Sequence, residues 1–370
     1  MRALITGGAG FIGSHIADRL LAEGLAVRIL DNLQLRVHPH GKPAYIPAAA
    51  EFIAGDVRDK ETLRRALRGV ELIFHQAAYQ DYMPDFSTFL TTNAASTALL
   101  LEIIVEEGWL VRKVIVASSQ AVYGEGRYRC AAHGDFQPES RDPARLAAGQ
   151  WEVVCPHCGA VAEALLLDER DHHPVNAYAI SKLAAELTAL RLGRLYGIPT
   201  VALRYSITQG PRQSLFNSYS GICRIFCLRV LNGQPPVLYE DGWQRRDYVH
   251  IADVVEANWQ VLNDPRADHR AFNVGGGCAV TVREYARVLI EAMGAKLEPV
   301  IPGDYRLGDN RHSVSDTTRL QALGWRPRRD LADILHDYLG WVRQQGDVGA
   351  YFAEADRQMR AHGVVRRVTP

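Results

Sequence analysis

The chain has no excess of charge of either sign: 42 Lys and Arg stand against 42 Asp and Glu in 370 residues. Binders of nucleic acid or anionic membranes carry a basic field, so neither is an expected partner. A local basic patch around an anionic ligand is compatible with the balance. The sequence also lacks an apolar run long enough for a signal peptide or a bilayer span, and the expected location is the cytoplasm. Cysteine is sparse, with six residues, which argues against a disulfide framework. Cys223, Cys227 and Cys278 read as small core residues, while the other three fall in one segment. No internal repeat or low-complexity stretch is present. What remains, 47% hydrophobic and 23% charged residues, is the composition of an ordinary globular protein.

The first thirty residues carry the strongest pattern. Arg2-Ala3-Leu4-Ile5-Thr6 is a short apolar strand running into Gly7-Gly8-Ala9-Gly10-Phe11-Ile12-Gly13. Helical periodicity follows through Ile16, Ala17, Leu20 and Leu21 until Gly24, and Leu25 to Leu30 forms a second strand closing on Asp31. Glycine permits a tight turn and lets a pyrophosphate approach the helix amino terminus, where free N–H groups and the dipole favour anions. An acid at the end of the second strand accepts from ribose hydroxyls and repels a 2′-phosphate, so NAD is expected in preference to NADP. Further strands at Glu51–Val57, Glu71–His75 and Lys113–Ala117, with helices between them, predict a parallel sheet covered on both faces, a Rossmann domain.

Tyr178 and Lys182 stand four apart on a predicted helix reaching about Tyr196 and so share one face. A phenol is a poor base at neutral pH, and a neighbouring ammonium favours its ionised form. Ser118 and Ser119 end a strand at the carboxyl edge of the sheet, where ligands of open α/β sheets bind. Taken singly, a Tyr–Lys pair is usually a surface pair and a strand-end serine a cap. Their conjunction with the glycine turn carries the reading.

The ordered series Thr6-Gly7-Gly8-Ala9-Gly10-Phe11-Ile12-Gly13, Gly55-Asp56-Val57, His75-Gln76-Ala77-Ala78, Asn93, Ser119 with Val122-Tyr123-Gly124, and Tyr178-x-x-x-Lys182 resembles the motifs of extended short-chain dehydrogenase/reductases. Arg246-Asp247-Tyr248-Val249-His250, Phe272-Asn273-Val274-Gly275 and Gly308 to Ser313 resemble the nucleotide-sugar epimerase branch. The resemblance spans about residues 1 to 327. It implies NAD held by Gly7, Gly10, Phe11, Ile12, Gly13, Asp31, Asn32, Asp56, Val57, Gln76, Ala77, Ala78, Asn93, Tyr178 and Lys182. It also implies Tyr178 as acid/base on the sugar hydroxyl, Lys182 lowering the pKa of Tyr178, and Ser119 bonding the same hydroxyl. A nucleotide-diphosphate sugar would be the partner, met by Gln80, Ser119, Gln120, Arg212, Arg245 and Arg311, with Tyr82 a weaker pocket residue.

Departures from the family narrow the chemistry. The branch's 4,6-dehydratases place Asp-Glu after the catalytic hydroxyl, and its decarboxylases want a glutamate there; this chain has Gln120 and Ala121. Oxidation and return of a hydride needs neither, so a 4-epimerase is expected. Related UDP-galactose epimerases carry Phe-Asn where Ser206-Ile207 stands. Together with Tyr219-Ser220-Gly221 and Tyr239-Glu240-Asp241-Gly242, this favours the dTDP-L-rhamnose 4-epimerase group. The alternatives are a nucleotide-sugar reductase or dehydrogenase with net NAD(H) turnover and, behind it, an NAD-sensing scaffold, against which the intact Ser119, Tyr178 and Lys182 argue. His250 reads as structural.

Between Gly124 and Tyr178 the family needs only a short connection, yet more than fifty residues stand there. Cys130 and His133, then Cys155 and Cys158, are two Cys-x-x-Cys/His pairs with the spacing of a structural zinc site. Reduced surface thiols are the plainer reading of one such pair, but two within one insertion favour zinc. Asp171, His172 and His173 read as solvated loop residues. The expected organisation is a cofactor domain over 1–205 with the insertion at 126–174, and a smaller α/β substrate domain from 206–246 and 279–330. Residues 247–278 return to the cofactor domain, and 331–370 form a helix and polar tail. The family also implies a homodimer.

Overall fold

The computed structural model describes residues 1–81, 83–215, 221–345 and 365–368. β1 (Arg2–Thr6), α1 (Phe11–Ala22), β2 (Ala26–Asp31), β3 (Glu51–Ala54), α2 (Lys60–Leu67) and β4 (Leu72–His75) alternate as the pattern predicts. α3 (Phe86–Phe89) runs through a π-helical stretch, Leu90–Ala95, into α4 (Ser96–Glu106), followed by β5 (Lys113–Ser119). The insertion contributes β6 (Tyr128–Cys130), β7 (Gly134–Phe136), α5 (Pro143–Ala147) and β8 (Glu163–Ala164). Then come α6 (Ala177–Leu195), β9 (Thr200–Tyr205), β10 (Ile207–Gln209), α7 (Gly221–Leu231), β11 (Arg245–His250) and α8 (Ile251–Asn263). β12 (Arg270–Val274), β13 (Ala279–Thr281), α9 (Val282–Ala292), β14 (Asp304–Arg306), β15 (His312–Ser313), α10 (Thr318–Gln321), α11 (Leu331–Val342) and β16 (Val365–Arg367) complete the order.

The main sheet has seven strands, all parallel, in the order β12-β9-β5-β4-β1-β2-β3. Successive side chains of a strand face opposite ways, so β1 sends Ile5 to one face and Leu4 to the other. On the first face Ile5, Ile29, Phe74 and Leu203 meet Ile16 and Leu20 of α1 and Val254 and Val261 of α8. On the second, Leu4, Leu30, Ile73 and Val116 meet Leu63 of α2, Leu100 and Ile104 of α4, and Ala185 and Ala189 of α6. The order reverses between β1 and β4, so the crevice for a ligand opens beyond Thr6 and His75.

Helix 86–106 is long and apolar enough to cross a bilayer, a length the run of sequence did not predict. Its buried polar residues Asn93, Ser96 and Thr97 are hydrogen-bonded within the protein, and Leu100, Leu101, Ile103 and Ile104 lie in the core. It packs as a core helix.

The smaller unit is built on a mixed sheet in which β11 pairs with β10, β13 and β15. Its core joins Cys223, Phe226 and Cys227 of α7 to Tyr248, Tyr285, Leu335 and Tyr338, so α11 packs into this unit. Cys278, expected in a core, is exposed on the turn between β12 and β13. The tail departs from a merely polar reading: β16 pairs antiparallel with β14, and Arg367 meets Asp304 at 2.7 Å. The insertion is a three-stranded antiparallel sheet, β7-β6-β8, closed at its base by His173 N–H donating to the carbonyl of Val122 at 2.7 Å.

A buried ion pair locks α6 to the sheet. Arg204 of β9 donates through Nε and Nη2 to Glu186 of α6 at 3.0 and 2.7 Å, and Nη1 reaches the carbonyl of Asp171 at 3.0 Å. Ser118 Oγ donates to the same carboxylate at 2.6 Å. Removing one partner of such a pair leaves an uncompensated buried charge. Arg204→Met is therefore expected to cost about 3–5 kcal/mol in urea unfolding; a loss under about 1 kcal/mol, the scale of a surface pair, would deny the pair this role.

Candidate active site and metal-ligand cluster

The turn after β1 is built backbone against backbone. A Cβ on Gly7, whose φ is +67°, would lie 2.7 Å from the backbone of Ala77, and one on Gly13 would lie 2.4 Å from the carbonyl oxygen of Gly7. No side chain caps α1 and its first turn carries no acid, so its amino terminus is open to an anion. Asp31 accepts from Ala9 N–H at 3.0 Å and from Leu33 N–H at 2.9 Å, which fixes its carboxylate at the end of β2. Asn32 donates to Asp56 at 3.1 Å beside it, and Val57 is buried. Gln76 Nε2 is buried without a hydrogen-bond partner, and its residue lines the cavity described next.

That cavity, about 1920 Å³, runs from the glycine turn across the carboxyl edge of the sheet into the smaller unit. A pocket for one drug-sized ligand is about 300–1,000 Å³, so there is room for two nucleotide-sized molecules. Gly7, Gly10, Phe11, Ile12, Gly13, Gln76 and Ala78 line one end, and Gln80, Ser119, Gln120, Tyr178 and Lys182 the middle. Arg212 is on the wall near α1, paired with Asp18 at 2.7 Å and stacked over Tyr45. Asp31, Asn32, Asp56, Val57 and Ala77 stand behind this lining. Asn93 does too: its amide donates to Tyr79 O at 3.0 Å and Ser181 Oγ at 2.9 Å and accepts from Tyr79 N–H at 2.7 Å. All its hydrogen bonds go to protein, so it braces α6 and the exit of β4. Tyr82, Tyr219 and Ser220 lie outside the described residues.

The side chain of Asn176 caps α6 by accepting from Ala179 N–H at 2.9 Å, and the helix brings Tyr178 and Lys182 to the wall opposite Ser119. Burial pushes the Tyr178 phenol up to about 12, against a hydrogen bond with Ser119 that pulls it down. Burial lowers Lys182 to about 8, and its Nζ donates to the carbonyl of Ala117 at 2.7 Å. The expectation that Lys182 depresses Tyr178 thus differs from this geometry, because desolvation outweighs the ammonium, which is turned to a backbone carbonyl.

Two arginines singled out from sequence are displaced from the cavity by their neighbours. Arg245 points away, its Nε 3.3 Å from His312 Nδ1, while strand alternation turns Arg246 to the cavity wall. Arg311 is 1% exposed and caged by Glu152, Glu240 and Asp241 at 2.5–3.0 Å. Its charge is spent on carboxylates, and Arg306, over the ring of Tyr239, lines the cavity instead. Strand parity was the sequence signal that distinguishes Arg246 from Arg245; nothing comparable marks Arg306. His250 caps α8 through Nδ1, accepting from Ala252 N–H at 3.0 Å, and is structural.

In the insertion Cys130, His133, Cys155 and Cys158 converge, all four ligand atoms within 4.8 Å of one another. Cys130 Sγ is 3.6 Å from His133 Nδ1 and 3.7 Å from Cys158 Sγ, and Cys155 Sγ is 3.5 Å from His133 Nδ1. A zinc tetrahedron with the usual bond lengths has S···S edges of about 3.8 Å and S···N edges of about 3.5 Å. Asp171, His172 and His173 are not in the cluster. His173 pairs with Glu139 at 3.0 Å.

This geometry is that of a family. The sequence matches the NAD dependent epimerase/dehydratase family over residues 3–143 and 155–275, and the chain belongs to it. The unmatched gap falls inside the insertion. Among curated relatives, the dTDP-L-rhamnose 4-epimerase of Burkholderia thailandensis is 32% identical over 353 residues, covering 94% of this chain and 96% of that protein. Among solved structures, the UDP-glucose 4-epimerase of Thermus thermophilus, in complex with NAD, is 33% identical with a TM-score of 0.73, covering 93% of this chain and 100% of that one. The UDP-glucose 4-epimerase of Thermotoga maritima, with UDP-glucose, is 30% identical with a TM-score of 0.75, covering 94% and 100%.

Because the added methyl meets rigid backbone, Gly13→Ala is expected to destabilise the protein by about 1–3 kcal/mol. Thermal unfolding checks this, and an unchanged Tm would mean that the turn relaxes freely.

Proposed function

We propose that this protein is an NAD-dependent nucleotide-sugar 4-epimerase, with dTDP-L-rhamnose or a related dTDP- or UDP-sugar as substrate. The observation that carries the reading is the placement of Ser119, Tyr178 and Lys182 on the walls of one cavity with room for two nucleotides. The residues present fit NAD: the uncapped α1 terminus faces the glycine turn, the Asp31 carboxylate is held at the end of β2, and the buried Gln76 amide is left without a partner. When bound there, NAD supplies the acceptor and donor for the hydride at sugar C4. Tyr178 holds the proton of the O4 hydroxyl, taking it up as C4 is oxidised and returning it when the other face is reduced. Ser119 orients that hydroxyl, and Lys182 lies one turn along α6 within reach of the same wall. Arg246 and Arg306 provide cations for the diphosphate.

A dehydratase reading lacks its acids. Gln120 and Ala121 follow Ser119, and the Gln120 side chain accepts from Ser313 Oγ at 3.0 Å. Asp81 on the same wall is paired with Arg36.

Two further assignments belong to this reading. Cys130, His133, Cys155 and Cys158 hold a structural zinc, since four protein donors leave no open position for catalysis. A second copy of the chain covers the faces of helix 86–106 and α6, where Leu90, Ile180 and Leu187 are 43, 46 and 38% exposed; sedimentation should give twice the chain mass.

Incubated with dTDP-L-rhamnose, UDP-glucose or UDP-glucuronate, the protein should equilibrate one of them with its C4 epimer by NMR while NADH absorbance stays flat. Tyr178→Phe should slow this by roughly a hundredfold to ten-thousandfold. Stoichiometric consumption of NAD(H) without an epimer would identify a dehydrogenase or reductase instead. Elemental analysis should find about one zinc per chain, as a single four-ligand site requires, and almost none in Cys155→Ser.

A further inference from the structure

The insertion reaches the substrate side of the cavity through buried charges. Arg141 and Glu152 belong to it, and Glu152 lies three residues before Cys155. Arg141 donates to both oxygens of Glu240 at 3.0 and 2.7 Å, and to the carbonyl of Asp309 at 2.7 Å. Glu152 accepts from Nε of the caged Arg311 at 3.0 Å and from its Nη2 at 2.5 Å. Glu125, at the neck of the insertion, accepts from Arg311 N–H at 2.5 Å. Arg141 and Glu240 are nearly inaccessible, at 5% and 1% side-chain exposure, so these bonds are not screened by solvent as a surface pair would be.

The segment held in this way, Asp309 to Arg311, is what holds Arg246. Its Nη1 donates to the carbonyl of Arg311 at 3.0 Å, and its Nη2 to the carbonyl of Asn310 at 2.8 Å and to Asp309 Oδ1 at 3.2 Å. Those bonds aim a guanidinium at the cavity and leave it little freedom. A cation fixed in place before its anion arrives binds it at lower entropic cost than one that must be ordered.

We infer that the metal-binding insertion is a positioning device for Arg246: by folding around its ion, it sets Arg141 and Glu152 against the 309–311 segment and so tunes affinity for the nucleoside diphosphate. This rests on the nucleotide-sugar reading above. Arg141 and Glu152 are positioning residues, since their bonds are to Glu240, Asp309 and Arg311 and not to the cavity contents. The route predicts an effect on substrate binding with little on chemistry, because Ser119, Tyr178 and Lys182 are carried by β5 and α6.

The test is isothermal titration of dTDP, with UDP alongside, into the full-length protein holding NAD. Wild type, Glu152→Gln and Cys155→Ser are compared, with zinc and NAD content measured on each. Glu152→Gln should keep its zinc and NAD yet bind the nucleotide at least tenfold more weakly, with KM raised by the same factor and kcat within twofold. Cys155→Ser should lose zinc and the same affinity. Should that variant fail to fold, wild type stripped of zinc by a competing chelator takes its place: weakened binding that returns when zinc is restored supports the inference, and unchanged binding overturns it. Equal affinity in Glu152→Gln and wild type overturns it, as does a fall in kcat at constant KM. Wild type that binds neither nucleotide would overturn the nucleotide-sugar reading and this inference with it.

Discussion

The site depends on one helix being held in register against two strands, and the buried Arg204–Glu186 pair is the contact that holds it. α6 carries Tyr178 and Lys182, β5 carries Ser118 and Ser119, and β9 carries Arg204. Glu186 is hydrogen-bonded to both strands at once, through Ser118 Oγ and the Arg204 guanidinium. Apolar packing of Ala185 and Ala189 against the sheet would tolerate a small slide of the helix. A bidentate pair out of solvent would not, because each fraction of an ångström costs hydrogen bonds that water cannot replace. The same guanidinium bonds the carbonyl of Asp171, so the return of the insertion is tied to the catalytic helix as well.

Ionic bonding of a second kind joins the two units across the cavity. The smaller unit has its own apolar core, and the bonds that align its cavity edge with the insertion are those among Arg141, Glu125, Glu152, Glu240, Asp241 and Arg311. Burial raises Glu125 to about 7 although Arg141 lies beside it. Such networks specify geometry more than they add stability, since desolvation cancels much of the attraction. That suits a region whose task is to hold arginines where a diphosphate will sit.

Much of this was legible in the sequence where local rules suffice. The glycine turn, Asp31 and the alternation of strands and helices are consequences of backbone geometry over thirty residues, and the seven-stranded parallel sheet follows from them. The four cysteine and histidine ligands were legible too, because metal spacing is a short-range pattern. Residues whose roles depend on distant partners were not. Arg311 sits in a matched motif, yet Glu152, Glu240 and Asp241 from other segments enclose it. Asn93 belongs to a cofactor motif but spends its hydrogen bonds on Tyr79 and Ser181. Arg245 and Arg246 differ only by strand parity, and the parity of β11 is set by its pairing with β10, β13 and β15.

The central claim is that the C4 hydrogen leaves the sugar and returns to it within one closed cavity. A nucleotide sugar deuterated at C4, turned over in ordinary water, tests this most directly. The account predicts that the epimer keeps its deuterium at C4, with no solvent hydrogen entering the ring carbons. Loss of the label from C4, or exchange at C5, would contradict it and point to net redox turnover or to elimination at the neighbouring carbons.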